Sequence, residues 1–201
     1  MKKENLLIVV AGPSGVGKGT IGQRLFKQMR NIEYSVSATT RAARDGEKEG
    51  INYFFVSHDK FDEMILKNEF LEYAHVFDNK YGTPKKYVMD QMKSGKDVLL
   101  EIDVQGAVMV MESYPDAVFI FILPPSIDEL EKRLKGRGTE DKKQMELRLS
   151  KAKDEIKYAE KFDYIVVNNS VETAADEMRS IIISEKCKKA RNTKIIESLI
   201  K

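Results

Sequence analysis

The chain has 201 residues, a third of them charged, with 34 Lys and Arg set against 32 Asp and Glu. That length suits one domain, or one domain carrying insertions, and is enough to bury a real core. A net charge of +2 excludes the broad basic field of a nucleic-acid binder, so any anionic partner has to be held by local clusters of Arg and Lys.

The single cysteine, Cys187, cannot form an internal disulfide, which fits a reducing compartment. It sits in EKCKKAR without a histidine beside it and reads as an incidental thiol. The N-terminal run MKKENLLIVVAGPSG opens like a secretory signal, but its apolar part is short and leads into glycines. No stretch approaches the ~18 apolar residues of a membrane span. The expectation is a soluble cytoplasmic protein.

Leu6–Val10 is the first predicted strand, and AGPSGVGKGT follows it directly. Ile21, Leu25 and Met29 then repeat at helical spacing. A second strand is expected over Tyr34–Thr40. Next come a polar loop, RAARDGEKEGIN, and two short strands, YFFVS and FLEYAHVF. The helix between those strands carries Phe61, Met64 and Ile65 on one face, and DNKYGTP reads as a loop. Val98–Ile102 and Val118–Leu123 are further buried strands. Ser126-Ile-Asp-Glu129 is a capping box that opens a helix reaching Leu134. The charged stretch GRGTEDKKQMELRLSKAKDE reads as a helix–turn–helix standing off the core. Tyr164–Val167 is the last strand, and one long helix is expected from Ser170 onward, with Ala174, Met178, Ile181 and Ile182 inward.

Most of these strands are rich in Val and Ile and lack strict alternation, as strands covered on both faces do. Strands alternating with helices predict a three-layer α/β fold around a five-stranded parallel sheet. Residues 1–40 and 91–201 form the expected core, with a small mixed insertion at 41–90 and a helical segment near 126–157 that acts as a lid.

Gly12, Gly17 and Lys18 fit G-x-x-x-x-G-K, the phosphate-cradling loop. Glycines let successive N–H groups turn inward as an anion nest, and the next helix adds its positive end. A plain connecting turn needs neither the lysine nor so many glycines. A dinucleotide fingerprint fails on spacing, because Gly15 and Gly17 would need a glycine where Thr20 stands. The expected ATP contacts are Gly12, Pro13, Ser14, Gly15, Val16, Gly17, Lys18, Gly19 and Thr20. The usual ending is G-K-[ST], whose hydroxyl meets Mg²⁺. Here the order is G-K-G-T, an ending that resembles nucleoside monophosphate kinases. Gly19 lets backbone, phosphate and a second substrate approach closely.

Taken together, SVSATTRAARDGEKEGINYFFV, FLEYAHVFDNKYGTP, LLEIDVQGA, LPPS and RLKGRG resemble guanylate kinase, in the family's order and spacing from about Leu6 to Asn169. The resemblance implies a P-loop kinase fold, an insertion that binds GMP, and transfer of the γ-phosphoryl group of MgATP to GMP and dGMP. It implies that Arg41, Arg44, Tyr53 and Tyr81 hold the GMP phosphate; two guanidinium forks suit a dianion. It makes Glu72 the base reader, since a carboxylate accepts from both the N1–H and the 2-amino group of guanine. Ser37 and Thr83 match hydroxyl positions near the base. Asp103, expected to end the apolar strand VLLEID, matches an acid that seats the nucleoside, and an acid at that strand end could also organise water around Mg²⁺. Direct metal ligands are left unassigned.

Arg137 and Arg148 are the catalytic arginines expected from the lid and its hinge, beside Lys18. Arg133 fits that role or simply solvates a helix. Asn168 and Asn169 could meet the adenine edge or cap the next helix. His58 and His75 are isolated and make no metal site. The expected partners are ATP and GMP alone, with neither nucleic acid nor membrane, in a monomer or homodimer. The competing readings are a guanylate-kinase-like binding module without catalysis and a kinase of another monophosphate.

Overall fold

The structure is a computed structural model that describes residues 5–76, 78–135 and 142–200. In chain order the first half contains β1 (Leu7–Ala11), α1 (Lys18–Gln28), β2 (Ile32–Tyr34), β3 (Ala38–Thr39), β4 (Phe54–Phe55), α2 (His58–Leu66), β5 (Phe70–Val76) and β6 (Asn79–Pro84). The second half contains α3 (Lys85–Lys93), β7 (Asp97–Glu101), α4 (Val104–Ser113), β8 (Val118–Leu123), α5 (Ile127–Lys135), α6 (Lys142–Ile156), β9 (Tyr164–Val167), α7 (Val171–Cys187) and α8 (Thr193–Leu199).

Five strands form one parallel sheet in the order β2-β7-β1-β8-β9. Every residue of β1 is buried. Side chains alternate across a strand, so its apolar run feeds two cores. Ile8 and Val10 pack with Ile21 and Leu25 of α1 and with Ala174, Met178 and Ile182 of α7. Leu7 and Val9 pack with Val88 of α3 and with Val104, Ala107 and Val110 of α4. This is the three-layer α/β architecture that the apolar runs predict. β1 lies between β7 and β8, where the strand order reverses, and such switch points open a crevice at the strands' carboxyl ends.

A second, mixed sheet has the order β4-β3-β6-β5. Phe61 of α2 stacks on Phe70 of β5 beneath it, with ring centroids 4.4 Å apart.

Three predicted elements differ. The run Tyr34–Thr40 is not one strand: it ends in the core sheet as β2 and resumes in the second sheet as β3. Ser35 N–H still bonds Leu99 O at 2.9 Å before the chain crosses over. Apolar side chains are buried equally well by either sheet, so composition does not mark the crossing. DNKYGTP is not a loop but largely β6, paired antiparallel with β5. Its glycine serves packing, since a Cβ on Gly82 would lie 2.9 Å from Phe70 Cδ1 and 3.0 Å from Glu72 O. The C-terminal helix is broken: Lys188 turns to φ −55°, ψ 135°, and a 3-10 turn at Lys189–Asn192 precedes α8.

Gly22 of α1 shows how tightly this core is fitted. A Cβ there would stand 1.8 Å from Tyr34 Oη, whose ring stacks on Phe26 at 4.3 Å. Gly22→Ala is expected to lower stability by about 1–3 kcal/mol despite alanine's better helix propensity. Thermal melts check this. The double variant Gly22→Ala/Tyr34→Phe, which removes the hydroxyl but leaves ring carbon Cζ 2.9 Å from the new Cβ, is expected to recover only part of the loss.

Candidate active site

The glycine loop joins the carboxyl end of β1 to α1. Gly15 and Gly17 take φ of 84° and 98°, a region that side chains rarely enter, and a Cβ on Gly12 would lie 2.4 Å from Ile122 O. The loop therefore needs these glycines for its shape and for its seat against β8. Lys18 opens α1, and its Nζ donates to Gly12 O at 2.6 Å and Pro13 O at 3.4 Å. Buried Asn168, just past β9, donates from Nδ2 to Val16 O at 2.8 Å. Arg133 of α5 pairs with Glu129 at 3.2 Å and also donates to Asn168 O at 3.2 Å. Asn168 and Arg133 thus brace the loop. The cap of α7 is Ser170, whose Oγ accepts from Thr173 N–H at 3.1 Å, so neither Asn168 nor the exposed Asn169 fills that place. Ser126 caps α5 as its motif predicts, accepting from Glu129 N–H at 3.1 Å.

The second sheet carries the other expected residues. Arg41 follows β3, and its Nη2 donates to both oxygens of Glu47 at 2.8 and 3.0 Å. Its guanidinium lies 5.5 Å from the centre of the Tyr53 ring. Tyr53 in turn meets Tyr81 of β6 edge-on, centroids 5.9 Å apart. Arg44 is exposed, and its backbone N–H donates to Glu47 Oε2 at 2.8 Å. Glu47 holds the Arg41 charge firmly and is itself held below the usual carboxylate range, first by the Arg41 bond and then by the Arg44 N–H. The sequence reading passed over Glu47; its signal is an acid three residues after Arg44.

Glu72, on β5, is buried at 6% exposure, and Oε1 accepts from Thr83 Oγ1 at 2.5 Å. Burial pushes this carboxyl up to about 7, with Thr83 opposing and Asp103 adding to the rise. Asp103 does not end the preceding strand. β7 stops at Glu101, and Asp103 is the N-cap of α4, accepting from Gly106 N–H at 2.7 Å. The strand-end acid is therefore Glu101, which the sequence reading did not single out. Its carboxylate lies 3.5 Å from where a Cβ on Gly19 would be.

Glu101 ties the two halves together. It lines a cleft of about 290 Å³ with Thr83 of β6 and with Ser37 and Tyr53, which immediately precede β3 and β4, and it also flanks Gly19 beside Lys18. Through Glu101 this cleft approaches the phosphate loop at Gly19, and through Thr83 it approaches Glu72. Arg148 lies exposed on α6, and Arg137 falls outside the described residues.

The comparisons with known proteins agree. The family model for guanylate kinase matches residues 4–185. A guanylate kinase from Clostridioides difficile (strain 630) is 54% identical over 96% of this chain and 95% of its own length. One from Bacillus subtilis (strain 168) is 48% identical over 95% of this chain and 94% of its own. Among solved structures, guanylate kinase from Anaplasma phagocytophilum superposes with a TM-score of 0.74 at 39% identity, covering 94% of this chain and 90% of that one.

Proposed function

The chain belongs to the guanylate kinase family, and on that premise we propose how its residues divide the work of moving the γ-phosphoryl group of ATP to GMP. Gly12 to Thr20 cradle the ATP phosphates, with loop N–H groups and the start of α1 supplying positive potential. Lys18 shifts from the loop carbonyls to the β- and γ-phosphates. Arg41, Arg44, Tyr53 and Tyr81 hold the GMP phosphate, which meets an Arg41 already paired with Glu47. Glu72 accepts from the N1–H and 2-amino group of guanine, while Ser37 and Thr83 set the base and Asp103 seats the nucleoside. Arg148 and Arg137 bring charge to the transferring phosphoryl group as the lid closes.

The oxygens around Gly19 suit Mg²⁺. The Thr20 hydroxyl is on an exposed residue and the Glu101 carboxylate is nearby. Mg²⁺ favours hard oxygens, often one or two carboxylates with substrate phosphates. Among the described residues no group of three His, Cys, Asp or Glu gathers as a metal site. When bound, the ion neutralises charge on the β- and γ-phosphates. An oxygen of the GMP phosphate attacks the γ-phosphorus in line as the bond to ADP breaks. That phosphate is largely ionised at neutral pH, so no general base is assigned.

We further propose that residues 41–90 act as the GMP-binding unit and about 126–157 as the lid on a core of 1–40 and 91–201. The protein acts in the cytoplasm on small molecules alone, without nucleic acid or membrane, as a monomer or homodimer; no described helix is long and apolar enough to cross a membrane.

The observation that carries this reading is the buried Glu72, bonded to Thr83 beside a cleft that reaches Glu101. Its test is ADP formation from MgATP with GMP, dGMP, AMP, CMP and UMP. A site whose buried polar groups are left unmatched discriminates by about 10⁴–10⁵, so GMP is expected to exceed AMP on that scale. A silent panel would favour a binding module, and preference for AMP or UMP another kinase.

A further inference from the structure

Gly106, the third residue of α4, is not explained by its own backbone. It lies inside a helix, where alanine is the better former, and its φ is not in the left-handed region. The explanation lies across the site. A Cβ on Gly106 would stand 2.9 Å from Glu72 Oε2, 3.3 Å from Glu72 Cδ and 3.4 Å from Asp103 Oδ1. The first distance is closer than carbon and oxygen tolerate, so one side would have to move.

Glu72 has little freedom to move. Its other oxygen is tied to Thr83 at 2.5 Å, Thr83 is fully buried, and Glu72 is 6% exposed. A carboxylate displaced from Gly106 has to give up the Thr83 bond or turn away from the base. The N–H of the same glycine fixes Asp103 at 2.7 Å. One residue thus anchors the capping acid through its backbone and leaves room for the other acid by lacking a side chain.

We propose that Gly106 is a positioning residue for guanine recognition: the missing side chain sets where the Glu72 carboxylate stands, and so sets selectivity for a purine bearing a 2-amino group. This rests on the reading of Glu72 as the base reader. Gly106 touches neither substrate in this account and acts only through Glu72 and Asp103.

The test compares Gly106→Ala, Glu72→Gln, Glu72→Ala and the double variant Gly106→Ala/Glu72→Ala with GMP and with inosine monophosphate, which lacks the 2-amino group. A displacement of a positioning group by under 1 Å costs up to about a hundredfold. Gly106→Ala is expected to raise KM for GMP by about tenfold or more, to leave KM for ATP within about twofold, and to narrow the GMP-to-IMP preference. Glutamine fills the space of glutamate, so the contact is removed only in Glu72→Ala, where adding Gly106→Ala is expected to raise KM for GMP no further, as for residues acting through one contact. Equal losses for GMP and ATP, or an unchanged GMP-to-IMP ratio in Gly106→Ala, would overturn the proposal. An unchanged ratio in Glu72→Gln would instead overturn the base-reader assignment beneath it. Melting temperatures give a second arm that does not need activity. Gly106→Ala is expected to lower Tm in the wild-type background and to raise it in Glu72→Ala, where only the helix preference for alanine remains. A rise in both backgrounds would overturn the steric argument.

Discussion

Lys18→Ala is expected to abolish phosphoryl transfer while the protein stays folded. The Lys18 ammonium now rests on the carbonyls of Gly12 and Pro13, a placement that keeps it inside the loop. Phosphoryl transfer is mostly positioning and charge stabilisation, so removal of one such donor costs at least about 10²–10³ in kcat. The loop's shape does not depend on the amine alone. Its glycine conformations and the Asn168 bond to Val16 remain. Single-turnover measurements at saturating MgATP and GMP, with circular dichroism and a melt on the same sample, separate lost chemistry from lost fold. Turnover near wild type in a folded variant would remove Lys18 from the reaction.

Glu72→Gln is expected to split the two substrates and to change how the enzyme answers pH. Losing one partner of a buried, charge-assisted hydrogen bond costs about 2–5 kcal/mol, so KM for GMP should rise on the order of 10²-fold or more while KM for ATP moves little. Equal changes for both substrates would count against base reading. Burial has pushed this carboxyl up to about 7 in the protein without nucleotide. The folded state therefore binds that proton more tightly than the unfolded chain does. Its stabilising contribution is fully present below the ordinary value of about 4.5 and is lost as pH rises through about 7. Across that window Glu72 accounts for roughly 3 kcal/mol, an order-of-magnitude figure. Wild type should thus melt at a higher temperature at pH 5.5 than at pH 8 through this group, and Glu72→Gln should lack that component. GMP binding runs the other way. On the proposed assignment the carboxylate form accepts both guanine donors, so affinity is expected to fall below pH 7 as Glu72 protonates. The GMP phosphate titrates near pH 6 and adds its own decline, as phosphate monoesters do. Glu72→Gln should retain the phosphate part of the profile and lose the rest.

The core sheet was legible because its strands are apolar on both faces, and burial on two sides leaves a continuous Val and Ile run. The loop was legible because Gly12, Gly17 and Lys18 are fixed by geometry at a set spacing. The second sheet was only partly legible. β6 carries Gly82 and Pro84, which read as loop residues, yet Gly82 is there because Phe70 and the Glu72 backbone press close across the sheet. The passage from β2 to β3 left no mark, since both ends are apolar and the change is one of partner strand. Among the candidate site residues, those with a donor or charge in a recognisable motif could be named from the sequence. Glu47, Glu101 and Gly106 were missed. Their parts are relative: an acid that pairs an arginine, an acid that ends its strand two residues earlier than expected, and a glycine defined by what stands opposite it.

β7 ends in Glu101, beside the phosphate loop, and two residues on along extended chain Asp103 caps α4 beside Glu72. Two extended residues span about 7 Å. The spacing between the backbone positions of these two acids is thus set by main chain, a stiff measure that no rotamer change can lengthen. Under the assignment proposed above, this short stretch of backbone would hold the ATP side and the GMP side at a set separation whatever the side chains around it do.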